Sequence, residues 1–197
     1  MEQGVREAAE QVVAAIRARL IDPAVPFVAA ELGGAVVHTD DFFASHRTGA
    51  EWDASTAAEK ADLAIDWQRL RTEALELLRA GREASWHPFD FATYDMETGS
   101  GLATELVTRQ PTRVIVLDGI YSSRPELRNL VDLRVLVEAP ALVRRQRHDE
   151  REATNEAMWH RRWDEAEDYY FTHVRPPESY DLVVRTDSAD GYRVGSG

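Results

Sequence analysis

The stretch "AVVHTDDFF", Ala35 to Phe43, decides how the chain is read. A short apolar run of the kind that forms a buried strand ends in two adjacent carboxylates and two aromatics. Ionised carboxylates are costly to bury unpaired, so a strand carrying Asp40 and Asp41 at its carboxyl end delivers them to a cleft or to water. In open parallel sheets that end is where ligands bind. A helix cap is the plainer alternative for either aspartate.

Three further apolar runs share the character of Ala35–His38: Arg113–Leu117, Leu133–Glu138 and Asp181–Arg185, with a weaker fifth candidate at Arg19–Ile21. Strands that are apolar throughout are expected to be covered on both faces, which means a parallel sheet between helices. Between them lie helical stretches. One opens at Ser55, carries Leu70, Leu75 and Leu78 at helical spacing and stops at Gly81, with Asp66 placed to interrupt it. Another runs, highly charged, from Ala141 to Phe171. The tract around Gly99 and Gly101 is loop-like. The expected fold is a three-layer α/β/α arrangement with a parallel five-stranded sheet, one domain over residues 1–197 with a lid around residues 141–165.

Composition narrows the function. A chain of 197 residues with 44% hydrophobic content can build one core, and it has no cysteine, which excludes disulfides and thiolate chemistry. A net charge of -12 argues against nucleic-acid and anionic-membrane partners, which need a basic footprint. No run approaches the roughly 18 apolar residues of a membrane span, and the first twenty residues form a charged amphipathic pattern, so a cytoplasmic protein is expected. A homo-oligomer is compatible with this composition.

Three features converge on phosphoryl transfer. Asp40 ends one strand, Asp118 and Gly119 end a second, and the helix after a third carries the cluster "ALVRRQRHDERE". Carboxylates at adjacent strand ends can share a hard cation such as magnesium, and arginines with His148 can hold phosphate oxygens. Taken singly, Asp118-Gly119 is also a turn signal, and each arginine also fits a solvated helix face.

With these residues in order, the chain resembles the uridine kinase group of P-loop kinases, related to phosphoribulokinase and pantothenate kinase. The resemblance runs from about Phe27 to Val184 through "VVHTDDFF", "IDWQRL", "WHPFDF", "VIVLDGIYS" and "RRQRHDERE". It implies ATP and Mg2+ as cofactors and a hydroxyl of a nucleoside or related small molecule as acceptor. It places the general base, which also neighbours the magnesium, on Asp40, and a magnesium-side carboxylate on Asp118, where the family has glutamate. Asp66 falls where a carboxylate holds the ribose, Phe89 on a tyrosine position and Tyr94 on a base-contacting histidine position. Phe43 and Trp163 join the acceptor-side candidates, although core packing is the default for each tryptophan. Arg144, Arg145, Arg147 and His148 fall on the phosphate-binding lid.

One element of the resemblance is missing. Such kinases need G-x-x-x-x-G-K-[S/T] after the first strand, because backbone N–H groups and a lysine there cradle phosphates. Between Ile21 and Phe27 the chain has no glycine, lysine, serine or threonine, and it has two prolines. Either the protein binds without catalysing, or the molecule carries a loop of about eight residues that this sequence lacks. A kinase of the same fold acting on a sugar or an antibiotic-like acceptor is the remaining alternative.

Overall fold

The computed structural model describes residues 33–144, 157–188 and 191–195. The candidate strand Arg19–Ile21 and the segment between Ile21 and Phe27 lie outside them, as do Arg145, Arg147 and His148.

Strand β1 spans Ala35–His38 and runs straight into a 3-10 turn, Thr39–Phe42. Two short helices follow, α1 (Gly49–Ala54) and α2 (Ala57–Leu63). Each starts with Thr-x-x-Glu: Thr48 and Thr56 accept from the backbone of Glu51 and Glu59, whose carboxylates take the threonine N–H in return. The second helix therefore opens at Thr56 rather than Ser55, whose hydroxyl instead donates to Glu51 O at 2.7 Å.

The expected interruption at Asp66 is present. Its side chain accepts from Arg69 N at 3.0 Å and starts α3 (Trp67–Arg69), which widens into a π-helical segment, Leu70–Leu75, and closes as α4 (Glu76–Arg79). Gly81, at φ +71°, ends it by taking the left-handed conformation that leaves Arg82 N to bond Leu77 O. The buried Leu70, Ala74, Leu75 and Leu78 face the core together with Trp52, Trp86, Phe42 and Leu127. Truncating a fully buried leucine such as Leu70 is expected to cost about 2–5 kcal/mol.

Strands β2 (Ala84–Trp86) and β3 (Val107–Arg109) form an antiparallel pair. Strand β4 (Ile115–Asp118) pairs with β1 in parallel, so the helical stretch between them is the crossover that a parallel pair requires. Strand β5 (Val135–Glu138) pairs in parallel with β6 (Leu182–Ser188), and β6 pairs antiparallel with β7 (Gly191–Gly195). Helix α5 (Ala157–Tyr169) continues as a π-helical segment, Tyr170–Val174. It sets Trp163, Ala166 and Tyr170 against the core and packs on α2.

The fold is mixed α/β as expected, but the described strands form three short sheets containing two parallel pairs and two antiparallel ones. The antiparallel β7 is an addition to the expected parallel set. Strand β4 is half-buried along its length and Val137 of β5 is 59% exposed. Among the described residues no helix is long and apolar enough to cross a membrane.

Candidate active site

The β1–β4 register sets the site. His38 lies opposite Asp118, so the turn bearing Asp40 and Asp41 leaves β1 beside the carboxyl end of β4. His38 Nδ1 and Asp118 Oδ2 are 3.2 Å apart, both side chains partly exposed. Asp40 is exposed and Asp41 half-buried. Next to them the chain is tightly held: Thr39, fully buried, donates from Oγ1 to Ile120 O at 3.2 Å. Gly119 occupies φ +122°, and Tyr121, buried, stands at φ +65°. A bulky residue in the left-handed region costs energy that the surrounding packing must hold, and such strain gathers at functional turns.

Asp41 is engaged twice. Its Oδ2 accepts from the indole N–H of Trp86 at 2.9 Å, and its backbone O accepts from Phe89 N at 2.8 Å. Nothing in the sequence near Asp41 signals a partner forty-five positions away. Asp66 is drawn in from the other side, where Asp66 N bonds Phe42 O at 2.7 Å and Ala44 N bonds Ala64 O at 2.9 Å. The ribose-side candidate thus lies close along the chain exit that follows Asp40.

The aromatic candidates assemble into one cluster. Phe43 lies 4.9 Å from Phe89, 6.4 Å from Tyr94 and 5.6 Å from Trp163, and Trp52 and Trp163 are 5.2 Å apart, all between ring centroids. Phe43, Phe89 and Trp163 are buried; Tyr94 is half-buried and the neighbouring Phe91 is 45% exposed. The Tyr94 hydroxyl donates to Arg47 O at 2.6 Å, and burial pushes its pKa up. The loop-like tract is pinned to this cluster. Asp90 N bonds Gly101 O at 2.7 Å, and a Cβ on Gly101 would collide with the Phe89 ring.

Of the basic candidates, Arg144 lies within the described residues. It is 3.4 Å from Glu167, whose carboxyl is pushed up by burial while Arg144 pulls it down. Arg162, on α5, makes a two-pronged pair with Asp53 of α1 at 2.7 and 2.9 Å, a tie between these two helices that charge patterning did not single out.

Among the described residues no group of three or more His, Cys, Asp or Glu side chains could hold a metal ion. Asp40 and Asp118 offer two carboxylates, on the turn after β1 and at the end of β4. That suits magnesium brought with a phosphate ligand, since this cation commonly takes one or two carboxylates and keeps water and phosphate for the rest. For the phosphates themselves the sequence between Ile21 and Phe27 does not fit, having none of the residues that a cradle requires.

Neither a family model nor a curated protein sequence matches the chain. Solved structures do match. One described as a possible uridine kinase from Bacillus stearothermophilus is 19% identical, with a TM-score of 0.58 over 93% of this chain and 99% of that one. A D-glycerate 3-kinase from Cryptococcus neoformans var. grubii serotype A is 10% identical, with a TM-score of 0.52 over 98% of each chain. At these identities the likeness is one of fold: the chain has a mixed α/β fold similar to P-loop kinase structures.

Proposed function

We propose that the protein is a small-molecule kinase that phosphorylates a hydroxyl of a nucleoside or a related polyol, with ATP as donor and Mg2+ as cofactor. The observation that supports this reading is the β1–β4 register, which puts Asp118 opposite His38, directly before the turn that bears Asp40. The fold shared with two structures described as kinases supports it.

In this reading Asp40 accepts the proton of the attacking hydroxyl, and a correctly held base of this kind contributes about two to four orders of magnitude. Asp66 orients adjacent hydroxyls. The aromatic cluster with Phe43, Phe89, Tyr94 and Trp163 shapes the acceptor side and limits water. Asp40 and Asp118 would hold the cation, while Arg144, Arg145, Arg147 and His148 offset the negative charge that gathers around a transferred phosphoryl group. The bound magnesium nucleotide supplies that group. The steps assigned to this chain are therefore those on the acceptor.

A second reading, a nucleotide-independent binding module, is favoured by the composition between Ile21 and Phe27. One experiment separates the two. Purified protein is incubated with magnesium and ATP and a panel of nucleosides, sugars and small hydroxy acids, and acceptor-dependent ADP is measured. In parallel, the tryptic peptide Leu20–Arg47 is weighed, because a phosphate loop inserted there would bring a lysine and split it. Turnover with a split peptide supports the kinase; an intact peptide of the written mass and no turnover supports the binding module.

A further inference from the structure

We propose that Asp41 is a positioning residue that fixes the Asp40-bearing turn to the segment opening the acceptor loop, acting through Trp86; this rests on the kinase reading of the site. The two aspartates are neighbours in sequence, yet their surroundings differ. Asp40 is exposed at the strand end, whereas Asp41 receives two donors from one short segment: the indole N–H of Trp86 at 2.9 Å and the backbone N–H of Phe89 at 2.8 Å.

The indole group has a single donor and no acceptor, so its orientation is set by the carboxylate it meets. Trp86 is 1% exposed, held in β2 opposite Val107, with its ring 5.3 Å from Phe42. A donor fixed that rigidly, bonded to an ionised oxygen, holds direction better than an exposed pair would. Beyond Trp86 the chain enters the loop from Pro88 to Ala103, closed by Ala103 N on Pro88 O at 2.9 Å and carrying Phe89, Phe91 and Tyr94.

The turn is therefore bracketed. On one side Thr39 is bonded to Ile120 after β4; on the other Asp41 is bonded to Trp86 and Phe89. Asp40 lies between the two anchors, its backbone O accepting from Phe43 N at 3.1 Å. Base and acceptor loop move as one unit, which keeps a hydroxyl bound on the loop at a constant distance from the carboxylate that deprotonates it. Misplacement by about 1 Å can cost about a hundredfold in rate.

Three variants test this. Asp41→Asn keeps an oxygen acceptor for the indole and removes the charge; Asp41→Ala removes the acceptor; Trp86→Phe keeps a ring and removes the donor. Hydrogen exchange of the Trp86 indole N–H, assigned by its absence in Trp86→Phe, reads the clamp without reference to turnover. Protection should persist in Asp41→Asn and fall in Asp41→Ala, burial alone keeping the remainder. With an acceptor that turns over, kcat should fall about ten- to hundredfold in Asp41→Ala and Trp86→Phe, more than KM rises. The double variant Asp41→Ala/Trp86→Phe should lose no more than either single one. Asp41→Asn should stay within about threefold of wild type, since its bond survives. Protection in Asp41→Ala equal to that in wild type overturns the clamp, whatever the turnover. An Asp41→Asn protein as inactive as Asp40→Asn, with its indole still protected, overturns the positioning role and makes the Asp41 charge part of the chemistry. Absence of turnover by wild type with every acceptor overturns the kinase reading and leaves the clamp to be judged on exchange.

Discussion

Gly119 and Thr39 are packed so closely that a Cβ on the glycine would collide with the Thr39 hydroxyl oxygen. Gly119 also sits at φ +122°, a conformation side chains rarely adopt, and Thr39 is fully buried with its hydroxyl committed to Ile120. Gly119→Ala is therefore expected to destabilise by about 3 kcal/mol, combining backbone strain with overpacking. For a chain of this size that is a fall of roughly 6–12 °C in Tm. Thr39→Ala should recover the part of the loss due to the collision in the double variant, but not the part due to φ. Thermal melts of the two single variants and the double variant decide the split.

Asp40→Asn addresses the chemistry in place of the frame. Asp40 is exposed, so loss of its charge should leave the melting temperature within about 1 °C. Turnover should drop by about two to four orders of magnitude, the usual effect of removing a general base. A variant that turns over near the wild-type rate would move proton removal away from this residue.

Local pattern makes β1 legible to the residue, because an apolar run bounded by Gly34 and by two aspartates has few other ways to fold. Asp66 was legible for a similar reason: an acid just before a new helical repeat competes for the free N–H groups of the helix start. At β4 the pattern begins two residues early, since Thr112 Oγ1 accepts from Ala35 N at 3.0 Å and donates to Val114 O at 2.7 Å, taking over the strand entry with a side chain. Strand pairing was less legible. Which apolar runs share a ladder depends on contacts far apart in the chain, and the antiparallel β7 is announced in the sequence only by Asp190-Gly191 before a short alternating stretch. The meeting of Asp41 and Trp86 was not legible, because it depends on the chain bringing β2 to the turn after β1 from forty-five positions away.

The proposed phosphate-side role of Arg144 and Arg145 can be tested against a structural one. Arg144 is 51% exposed and its pair with Glu167 is long at 3.4 Å, so removing it should change stability by no more than about 1 kcal/mol. If Arg144 and Arg145 offset charge on phosphate, Arg144→Ala and Arg145→Ala should each raise KM for ATP or lower kcat by about tenfold, the effect of losing one charge-assisted contact. Steady-state kinetics and thermal melts on the same samples make the comparison. Parallel losses of Tm and turnover would assign both arginines to packing.

The acceptor side carries the sharpest expectation. Phe89 is buried against Phe43 and Tyr94, with Gly101 close beneath it, and a phenyl ring has no group that can bond a base edge. Tyr94 does have a hydroxyl, but it donates to Arg47 O at 2.6 Å, which holds it in the loop. Strong discrimination comes from polar groups left unpaired by the wrong ligand, and apolar fit alone reaches only about a hundredfold. Uridine and cytidine should accordingly differ by less than about a hundredfold in kcat/KM, or the preferred acceptor should be neither. Tyr94→Phe should leave their ratio within about threefold, because the lost hydroxyl serves the loop and not the base. A panel of nucleosides, sugars and hydroxy acids at matched concentrations gives the ratio directly. A larger preference for one pyrimidine nucleoside that collapses in Tyr94→Phe would show that the hydroxyl leaves Arg47 to read the base.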